Sequence, residues 1–294
     1  MHISPELIDL KQIKPTFGCL KDKVVVVTGS TQGLGAAIAR QVACSGAAGV
    51  VICGRQQDCG KAVADDIQNE FNVKTCFQRT DLRQVEDCQN LVATSCKTFG
   101  RIDALVNAAG LSTRGSIENT SPELFDELIS VNLRAPFFTI QAAVLAMQKQ
   151  NSAGSIVNII SISSYGGQSY LAPYVAAKAG LIALTRNVAY SQRWRQIRCN
   201  ALNIGWTETP NEHKVQLAMG KSENWLEQVQ QSLPAKSLLQ PHQIVMDLCW
   251  THYWRRLNRS NSGCIVGRLV GLANLDLATS LDTDRPTNPY PKSS

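Results

Sequence analysis

Short apolar runs alternate with longer segments of helical periodicity from residue 23 onward. The apolar runs, rich in β-branched residues, lie at 24–27, 50–53, 73–77, 104–107, 155–160 and 197–203. Between them, Ala, Leu, Gln and Glu recur at helical spacing, as in 35–45 and 61–71. Apolar strands that are separated by helices indicate a parallel sheet covered on both faces. The pattern therefore predicts one α/β domain with a doubly wound parallel sheet and helices on both faces.

Two long helices are predicted in the second half of this pattern. Pro122 and Glu123 follow a Thr-Ser pair, which marks a helix start, and the apolar face that begins there continues to Met147. The second helix is predicted over residues 174–193. No repeat interrupts the plan, and the proline-containing end at 282–294 is predicted to be disordered.

The composition of the 294-residue chain, with 44% hydrophobic and 18% charged residues, excludes a disordered or fibrous protein. No uninterrupted apolar stretch approaches the roughly 18 residues of a membrane helix. Glu6 and Asp9 lie where a signal peptide would need an apolar run. The ten cysteines are scattered without metal-ligand spacing, and Cys53, Cys76 and Cys199 lie in apolar runs. We therefore expect a soluble, cytoplasmic protein with reduced cysteines, no metal ion and no membrane partner.

The net charge of +6 is modest, and part of it comes from four arginines near the C-terminus. They are Arg255, Arg256, Arg259 and Arg268. One interpretation is an RNA-binding patch, and the other is a solvated protein face. Because no nucleic-acid recognition motif accompanies these arginines, we favour the solvated face and expect no nucleic-acid partner.

A glycine-rich segment directly after the first apolar run is the first candidate for chemistry. It reads Thr-Gly-Ser-Thr-Gln-Gly-Leu-Gly over residues 28–35 and leads into a helical segment. Glycines there allow a tight turn and let the backbone approach a pyrophosphate, whose charge the helix N-terminus favours. Because strand, glycines and helix occur in this order, the segment predicts a dinucleotide site rather than a simple turn.

The end of the second predicted strand indicates which dinucleotide is bound. NAD-binding proteins usually place an acidic residue there, whereas this chain has Gly54 followed by Arg55. A guanidinium without a neighbouring carboxylate favours a 2′-phosphate, so we predict NADP(H), with NAD(H) as the alternative. The competing interpretation of Arg55 is a plain surface arginine. Asp81, just past the third strand, can accept a hydrogen bond from the adenine amino group or cap the following helix.

Four polar residues further along complete the pattern. Tyr174 and Lys178 are four residues apart on a predicted helix and share a face. Ser161 ends the fifth predicted strand, at the sheet edge where open α/β folds bind ligands. Asn132 lies within the first long helix.

These motifs occur in a known order. Thr-Gly-x-x-x-Gly-x-Gly at 28–35 is followed by Asn-Ala-Ala-Gly at 107–110, Val-Asn-Leu at 131–133, Ser161 and Tyr-x-x-x-Lys at 174–178. With this set the chain resembles the short-chain dehydrogenases/reductases over roughly residues 22–248.

The resemblance implies a Rossmann-type fold and an oxidoreductase that transfers a hydride between NADP(H) and a carbonyl or secondary alcohol substrate. It implies a catalytic tetrad of Asn132, Ser161, Tyr174 and Lys178. The residues then expected at the cofactor are Gly29, Ser30, Gly33, Leu34, Gly35, Arg55, Asp81, Leu82, Asn107, Ala108, Gly110, Tyr174, Lys178, Gly205 and Thr209. It also implies a mobile substrate lid at 211–232 and a homodimer or homotetramer. Ile204 replaces the proline that the family usually has beside this lid.

The chemistry of the tetrad follows from its residue types. A phenol with a pKa of about 10 is a poor base near neutrality, and a neighbouring ammonium lowers that pKa. We therefore expect Tyr174 to exchange the substrate proton while Lys178 lowers its pKa and holds the nicotinamide ribose. Ser161 is expected to hydrogen-bond the substrate oxygen, and Asn132 to position a water that relays protons to Lys178.

The resemblance ends after Leu248. Where the family continues with an apolar helix and a strand ending Val-Asp-Gly-Gly, this chain reads Trp-Thr-His-Tyr-Trp-Arg-Arg over 250–256. One explanation is a shifted reading frame, because the codons of 252–255 read two bases later can encode Leu-Leu-Ala. A genuinely divergent tail is the other. Segments 264–266 and 269–272 could still supply a seventh strand.

We divide the chain into an N-terminal extension at 1–20, a Rossmann-type dehydrogenase domain at 21–248 and a divergent C-terminal segment at 249–294. Residues from about Trp250 onward are expected to pack poorly, because many of their side chains are polar. The alternative function is therefore a catalytically weak NADP(H)-binding or scaffold protein, and an RNA-binding protein is a third candidate. The intact Asn-Ser-Tyr-Lys set favours the enzyme.

Overall fold

The structure, a computed structural model, describes residues 20–233 and 235–250, with the side chains of 246–250 excepted. Its strands are β1 (Val24–Val27), β2 (Gly49–Gly54), β3 (Lys74–Arg79), β4 (Ala104–Asn107), β5 (Gly154–Ser161) and β6 (Ile197–Ile204). All neighbouring pairs are parallel, in the order β3-β2-β1-β4-β5-β6. The predicted doubly wound parallel sheet is confirmed.

Helices cover both faces of this sheet. They are α1 (Gly33–Cys44), α2 (Gln57–Phe71), α3 (Val85–Phe99), α4 (Pro122–Ile129), α5 (Ala135–Lys149), α6 (Ala172–Gln192), α7 (Pro210–Ala218), α8 (Trp225–Ser232) and α9 (Pro241–Trp250). The core has two layers. Val25 and Val27 pack with residues of α1, α2 and α9, whereas Val26 packs with residues of α3, α5 and α6. Because a central parallel strand is buried on both faces, an uninterrupted valine run suits it.

The described structure begins at Leu20, which already belongs to the core of the domain. Leu20, which the sequence placed in the extension, is fully buried in the core, and its N–H donates to the Ser45 carbonyl at 3.2 Å. The rest of the predicted extension lies outside the described residues. So do the predictions on the tail, namely poor packing from Trp250, the seventh strand and the disordered end.

The first long helix is not continuous, although the sequence predicts one helix from Pro122 to Met147. A π-helical turn, Ser130–Arg134, separates α4 from α5. Asn132 explains it, because its Nδ2 donates to the Leu128 carbonyl at 2.9 Å. In an α-helix that carbonyl would accept from the Asn132 backbone N–H. The side chain thus competes for the group that would continue the α-helix.

The combined helical segment Pro122–Lys149 is long and apolar enough to cross a membrane by length and composition. Half of its most apolar stretch is buried inside the protein. Met147, Ile140 and Ala143 pack there with residues of the sheet and of α3. The buried half of this stretch therefore belongs to the core of the domain.

Candidate active site

A cleft of about 1780 Å³ opens at the carboxyl ends of the strands. Segments that follow each of the six strands line it, together with parts of α6 and α7. Ordinary small-molecule sites enclose about 300–1,000 Å³, so this cleft has room for a dinucleotide and a substrate.

The glycine-rich loop requires its glycines because α1 begins very close to β1. A Cβ on Gly35 would lie 2.2 Å from the Gly29 carbonyl oxygen, and Gly29 itself has a φ of +64°. Neither position tolerates a side chain without a backbone shift. Gly29, Gly33, Leu34 and Gly35 all line the cleft, as expected for a loop beside a dinucleotide.

Ser30 has a different place from the one expected. Its side chain is fully buried and is absent from the lining of the cleft. Its Oγ donates to the Val27 carbonyl at 2.7 Å and accepts from the Cys53 N–H at 3.0 Å. These two bonds attach the loop to the ends of β1 and β2, so the Ser30 side chain supports the loop from beneath. A contact of Ser30 with the cofactor stays a prediction.

The far end of the cleft carries the residues expected at the adenine ribose. Arg55 is exposed and lines the cleft together with Asp81 and Leu82. Asp81 forms an ion pair with Arg83, whose Nη2 lies 2.6 Å from Oδ2. Hydrogen bonds from Arg83 hold the pKa of Asp81 below its usual value, and the charge of Arg55 adds to the effect. The helix-cap interpretation of Asp81 is wrong, because Gln84 is the N-cap residue of α3.

Asn107 also lies beneath the cleft rather than in it. Its Nδ2 donates to Asn158 Oδ1 at 2.9 Å, and its Oδ1 accepts from Thr139 Oγ1 at 2.8 Å. Asn158 Nδ2 in turn donates to Thr185 Oγ1 at 2.9 Å. This buried network joins β4 and β5 to α5 and α6, and the assignment of Asn107 to the cofactor stays a prediction. Ala108 and Gly110, which follow on the chain, do line the cleft.

Three residues of the predicted tetrad meet at the middle of the cleft. Ser161 lies at the end of β5, and Tyr174 and Lys178 lie one turn apart on α6. Lys178 Nζ lies 5.7 Å from the centroid of the Tyr174 ring and donates to the Ile159 carbonyl at 3.0 Å. The arrangement places a phenol, a hydroxyl and an ammonium around one space.

Asn132 stands behind this group. Its Nδ2 donates to the carbonyls of Leu111 and Leu128, and its Oδ1 accepts from the Leu111 N–H at 3.2 Å. A Cβ on Gly110 would lie 3.2 Å from Asn132 Oδ1 and 3.6 Å from Lys178 Nζ. Each polar atom of the Asn132 amide thus has a backbone partner, and the side chain holds the loop after β4 against α4. The positioning of a water by Asn132 stays a prediction.

Burial dominates the electrostatics of the tetrad. It raises the pKa of the Tyr174 phenol, and the Ser161 side chain acts in the opposite direction. Burial lowers the pKa of Lys178 to about 8. In the protein without its cofactor, the pKa of Tyr174 thus lies above its usual value, and the expected lowering by Lys178 stays a prediction. Desolvation of the phenolate is the largest contribution to this raised pKa.

The segment predicted as a substrate lid follows β6 and borders the cleft. Gly205 and Thr209 line the cleft, and Thr209 Oγ1 accepts from the Glu212 N–H at 3.1 Å, which caps α7. The predicted lid at 211–232 forms α7 and α8. Ile204 ends β6 in place of the family's proline and lines the cleft.

Sequence reasoning missed a second polar group in the cleft. Arg114, after β4, and Glu212, in the first turn of α7, form a largely buried ion pair with 2.5 Å between Nη2 and Oε1. Both residues line the cleft, as do Tyr170 and Trp206. The two partners are 98 positions apart and belong to no motif, so the sequence carried no signal that would join them.

Comparison with known proteins agrees with the fold and the motifs. The sequence model of the family described as short chain dehydrogenase matches residues 23–220. The chain therefore belongs to the short-chain dehydrogenase/reductase family.

Three similar proteins illustrate the family. Trans-4-hydroxycyclohexanecarboxylate dehydrogenase of Sinomonas cyclohexanicum is 36% identical over 194 residues, which are 64% of this chain and 74% of that protein. L-Rhamnose 1-dehydrogenase (NAD(P)(+)) of Azotobacter vinelandii is 35% identical over 65% of this chain and 75% of its own. The structure of an actinorhodin polyketide ketoreductase variant with NADPH superposes with a TM-score of 0.72 at 27% identity, covering 78% of this chain and 89% of that one. The family and these relatives indicate oxidoreduction with a nicotinamide cofactor.

The buried ammonium of Lys178 predicts a pH-dependent stability. The folded protein binds this proton more weakly than the unfolded chain, because the pKa falls from its usual 10.5 to about 8. Between these values the unfolded state binds more protons, so the stability of the wild-type protein relative to Lys178→Met should rise with pH. The rise should be at most about 1.4 kcal/mol per pH unit. Urea denaturation from pH 7 to 10.5 without cofactor measures it, and a constant difference would contradict the burial argument.

Proposed function

We propose that the protein is an NADP(H)-dependent oxidoreductase that reduces a ketone or aldehyde and, in reverse, oxidises the corresponding alcohol. The observation that carries the proposal is the meeting of Ser161, Tyr174 and Lys178 in the same cleft as the glycine-rich loop. A structural ammonium would be paired with a carboxylate, whereas that of Lys178 donates to a carbonyl of β5 beside the cleft.

The residues present fit a phosphorylated dinucleotide. In the loop at 29–35, a Cβ on Gly29 or Gly35 would collide with neighbouring backbone, so the backbone itself faces the cleft. The loop leads into the N-terminus of α1, which favours the charge of a pyrophosphate. Among the described residues, no carboxylate lies within ion-pair distance of Arg55, since Asp81 is paired with Arg83. Arg55 can therefore bind a 2′-phosphate. The NADPH in the ketoreductase structure and the NAD(P)(+) in the name of the rhamnose enzyme support this cofactor class.

The cofactor supplies the hydride, and the chain handles the proton and the oxygen. In reduction the carbonyl carbon gains a hydride and the C=O double bond opens toward oxygen. That oxygen accepts a hydrogen bond from Ser161 and takes the proton of the Tyr174 hydroxyl, which leaves a phenolate and an alcohol. Lys178 stabilises the phenolate and returns the proton. In oxidation the same proton moves from the alcohol to the phenolate.

The raised pKa of Tyr174 keeps its phenol protonated near neutral pH in the protein without cofactor, which suits the proton donation that reduction needs. A phenol that keeps its proton at neutral pH is ready to donate it, whereas oxidation needs the phenolate first. With a pKa of about 8, Lys178 is mostly charged at pH 7 and can stabilise the phenolate once it forms.

Cofactor preference can be tested by fluorescence titration. NADPH should bind at least about tenfold more tightly than NADH, a difference of about 1.4 kcal/mol, and Arg55→Ala should remove most of it. Arg195→Ala, an exposed arginine outside the cleft, is the matched control and should keep the preference. Tighter binding of NADH by the unmodified protein would overturn the assignment to NADP(H).

The role of Tyr174 can be tested on a carbonyl panel with NADPH consumption as the readout. Tyr174→Phe keeps the ring and removes the proton donor, so turnover should fall at least about 100-fold while NADPH still binds. Tyr190→Phe, an exposed tyrosine on the same helix, should remain active. NADPH binding without turnover of any carbonyl or alcohol by the wild-type protein would instead favour the catalytically weak binding protein.

We also propose that the protein is a homo-oligomer. Phe125, Phe137 and Leu145 of α4 and α5 are 45–60% exposed, and the last two lie on one exposed stripe of α5. Exposed apolar patches of this kind mark association surfaces. Leu145→Glu should lower the solution mass measured by light scattering, and Lys149→Glu on the same stripe is the control for charge. A wild-type monomer at micromolar concentration would exclude the proposal.

A further inference from the structure

The ion pair of Arg114 and Glu212 lies in the part of the cleft that the tetrad does not occupy. Arg114 belongs to the loop between β4 and α4, and Glu212 to the first turn of α7, so the pair joins the lid to the body of the domain. Their side chains are only 14% and 8% exposed. A charged pair this deeply buried gains little stability over an apolar pair of the same size. Its position in a substrate cleft therefore calls for a chemical explanation.

The hydrogen bonds of the pair are unevenly distributed. Glu212 Oε1 accepts from Arg114 Nη2, from Trp206 Nε1 at 3.0 Å and from Gln216 Nε2 at 2.7 Å. Oε2 has a single long contact, 3.4 Å from Ser112 Oγ. Arg114 Nη1 donates to the Ser112 carbonyl at 2.8 Å, whereas Nε has no partner among the described residues. One acceptor and one donor of the pair are thus left for a ligand.

A third unused polar atom lies nearby in the loop after β5. Gln168 lines the cleft, and its Oε1 is a buried acceptor without a partner in the part of the chain that the structure describes. Two aromatic rings border the same region. The Arg114 guanidinium lies 5.6 Å from the Tyr170 ring centroid, and the Trp206 indole donates to Glu212. The region therefore offers donors, acceptors and flat apolar faces, and the Arg114–Glu212 pair at its centre has no net charge.

We propose that Arg114 and Glu212 recognise a hydroxyl group of the substrate and select uncharged, hydroxylated carbonyl compounds. This inference rests on the proposed reductase function and names the substrate class of the same cleft. A hydroxyl both donates and accepts, so one group can satisfy Glu212 Oε2 and Arg114 Nε after small side-chain rotations. A carboxylate meets the repulsion of Glu212, and an apolar ring leaves both atoms unpaired.

The pair also lies within electrostatic range of the reacting phenol. Glu212 raises the pKa of Tyr174, and Arg114 lowers it. One small substrate can therefore place its hydroxyl between Arg114 and Glu212 and its carbonyl against Tyr174.

A matched ring series tests the selectivity. Cyclohexanone, 4-hydroxycyclohexanone and 4-oxocyclohexanecarboxylate share the reacting group and differ in the second substituent. With NADPH, kcat/KM for the hydroxylated ring should exceed each of the others at least about tenfold, which corresponds to about 1.4 kcal/mol. Equal values, or a preference for the carboxylate, would overturn the proposal.

Variants connect the selectivity to the pair. Glu212→Gln should reduce the preference for the hydroxylated ring and move the loss of reductase activity at high pH to lower pH, because the pKa of Tyr174 falls. Glu227→Gln, exposed on the neighbouring α8, is the control and should change neither. The double variant Arg114→Met with Glu212→Leu avoids a lone buried charge and should reverse the preference toward cyclohexanone. An unchanged preference in a folded double variant would rule out recognition by the pair.

A binding readout separates this inference from the proposed function. Trp206 donates to Glu212, so its fluorescence should respond when a ligand reaches the pair in the NADPH-saturated protein. Selective binding of the hydroxylated ring without turnover would overturn the reductase function and leave the recognition standing. Equal binding of all three rings would overturn the recognition even if every ring is reduced.

Discussion

The parallel arrangement of the six strands is the constraint on which the site depends. Parallel strands bring all their carboxyl ends to one edge, so the segments after β1, β2, β3, β4, β5 and β6 meet although they are far apart in sequence. Central strands in such a sheet are buried on both faces, and their backbone is rigid. At this edge the buried ammonium of Lys178 donates a hydrogen bond to the Ile159 carbonyl of β5.

Beneath this edge, polar side chains hold the layers in register. Asn107, Thr139, Asn158 and Thr185 form a continuous buried network between two strands and two helices. Thr28 contributes in the same way, since its Oγ1 accepts from the N–H groups of Ala108 and Ala109 at the start of the neighbouring loop. These residues touch no ligand region, yet they decide where the cleft-lining loops begin.

The sequence predicted the strands well where burial is complete. The runs at 24–27 and 104–107 match β1 and β4 residue for residue, because every position in them is buried and all but Asn107 are apolar. The edge strand β3 extends to Arg79, beyond the predicted 73–77, because an edge strand tolerates the polar Gln78 and Arg79.

For the site residues, the spacing of the motifs was enough to predict that Ser161, Tyr174 and Lys178 line the cleft. It could not show which way a side chain points, and the side chains of Ser30 and Asn107 turn into the protein rather than into the cleft. The ion pair of Arg114 and Glu212 could not be predicted, because folding alone brings the two residues together. The pKa of Tyr174 depends in the same way on burial and on charges that only the folded structure shows.

The π-helical turn at Asn132 rotates the faces of α5 relative to those of α4. One additional residue in a helix rotates everything that follows by about 100°, and the turn applies that rotation between α4 and α5. The buried face of α5 and the inward position of Asn132 are compatible only with this offset. A chain shortened by one residue here could keep the core face of α5 or the amide behind Gly110, but not both. The number of residues between α4 and α5 therefore decides whether the Asn132 amide can lie behind Gly110.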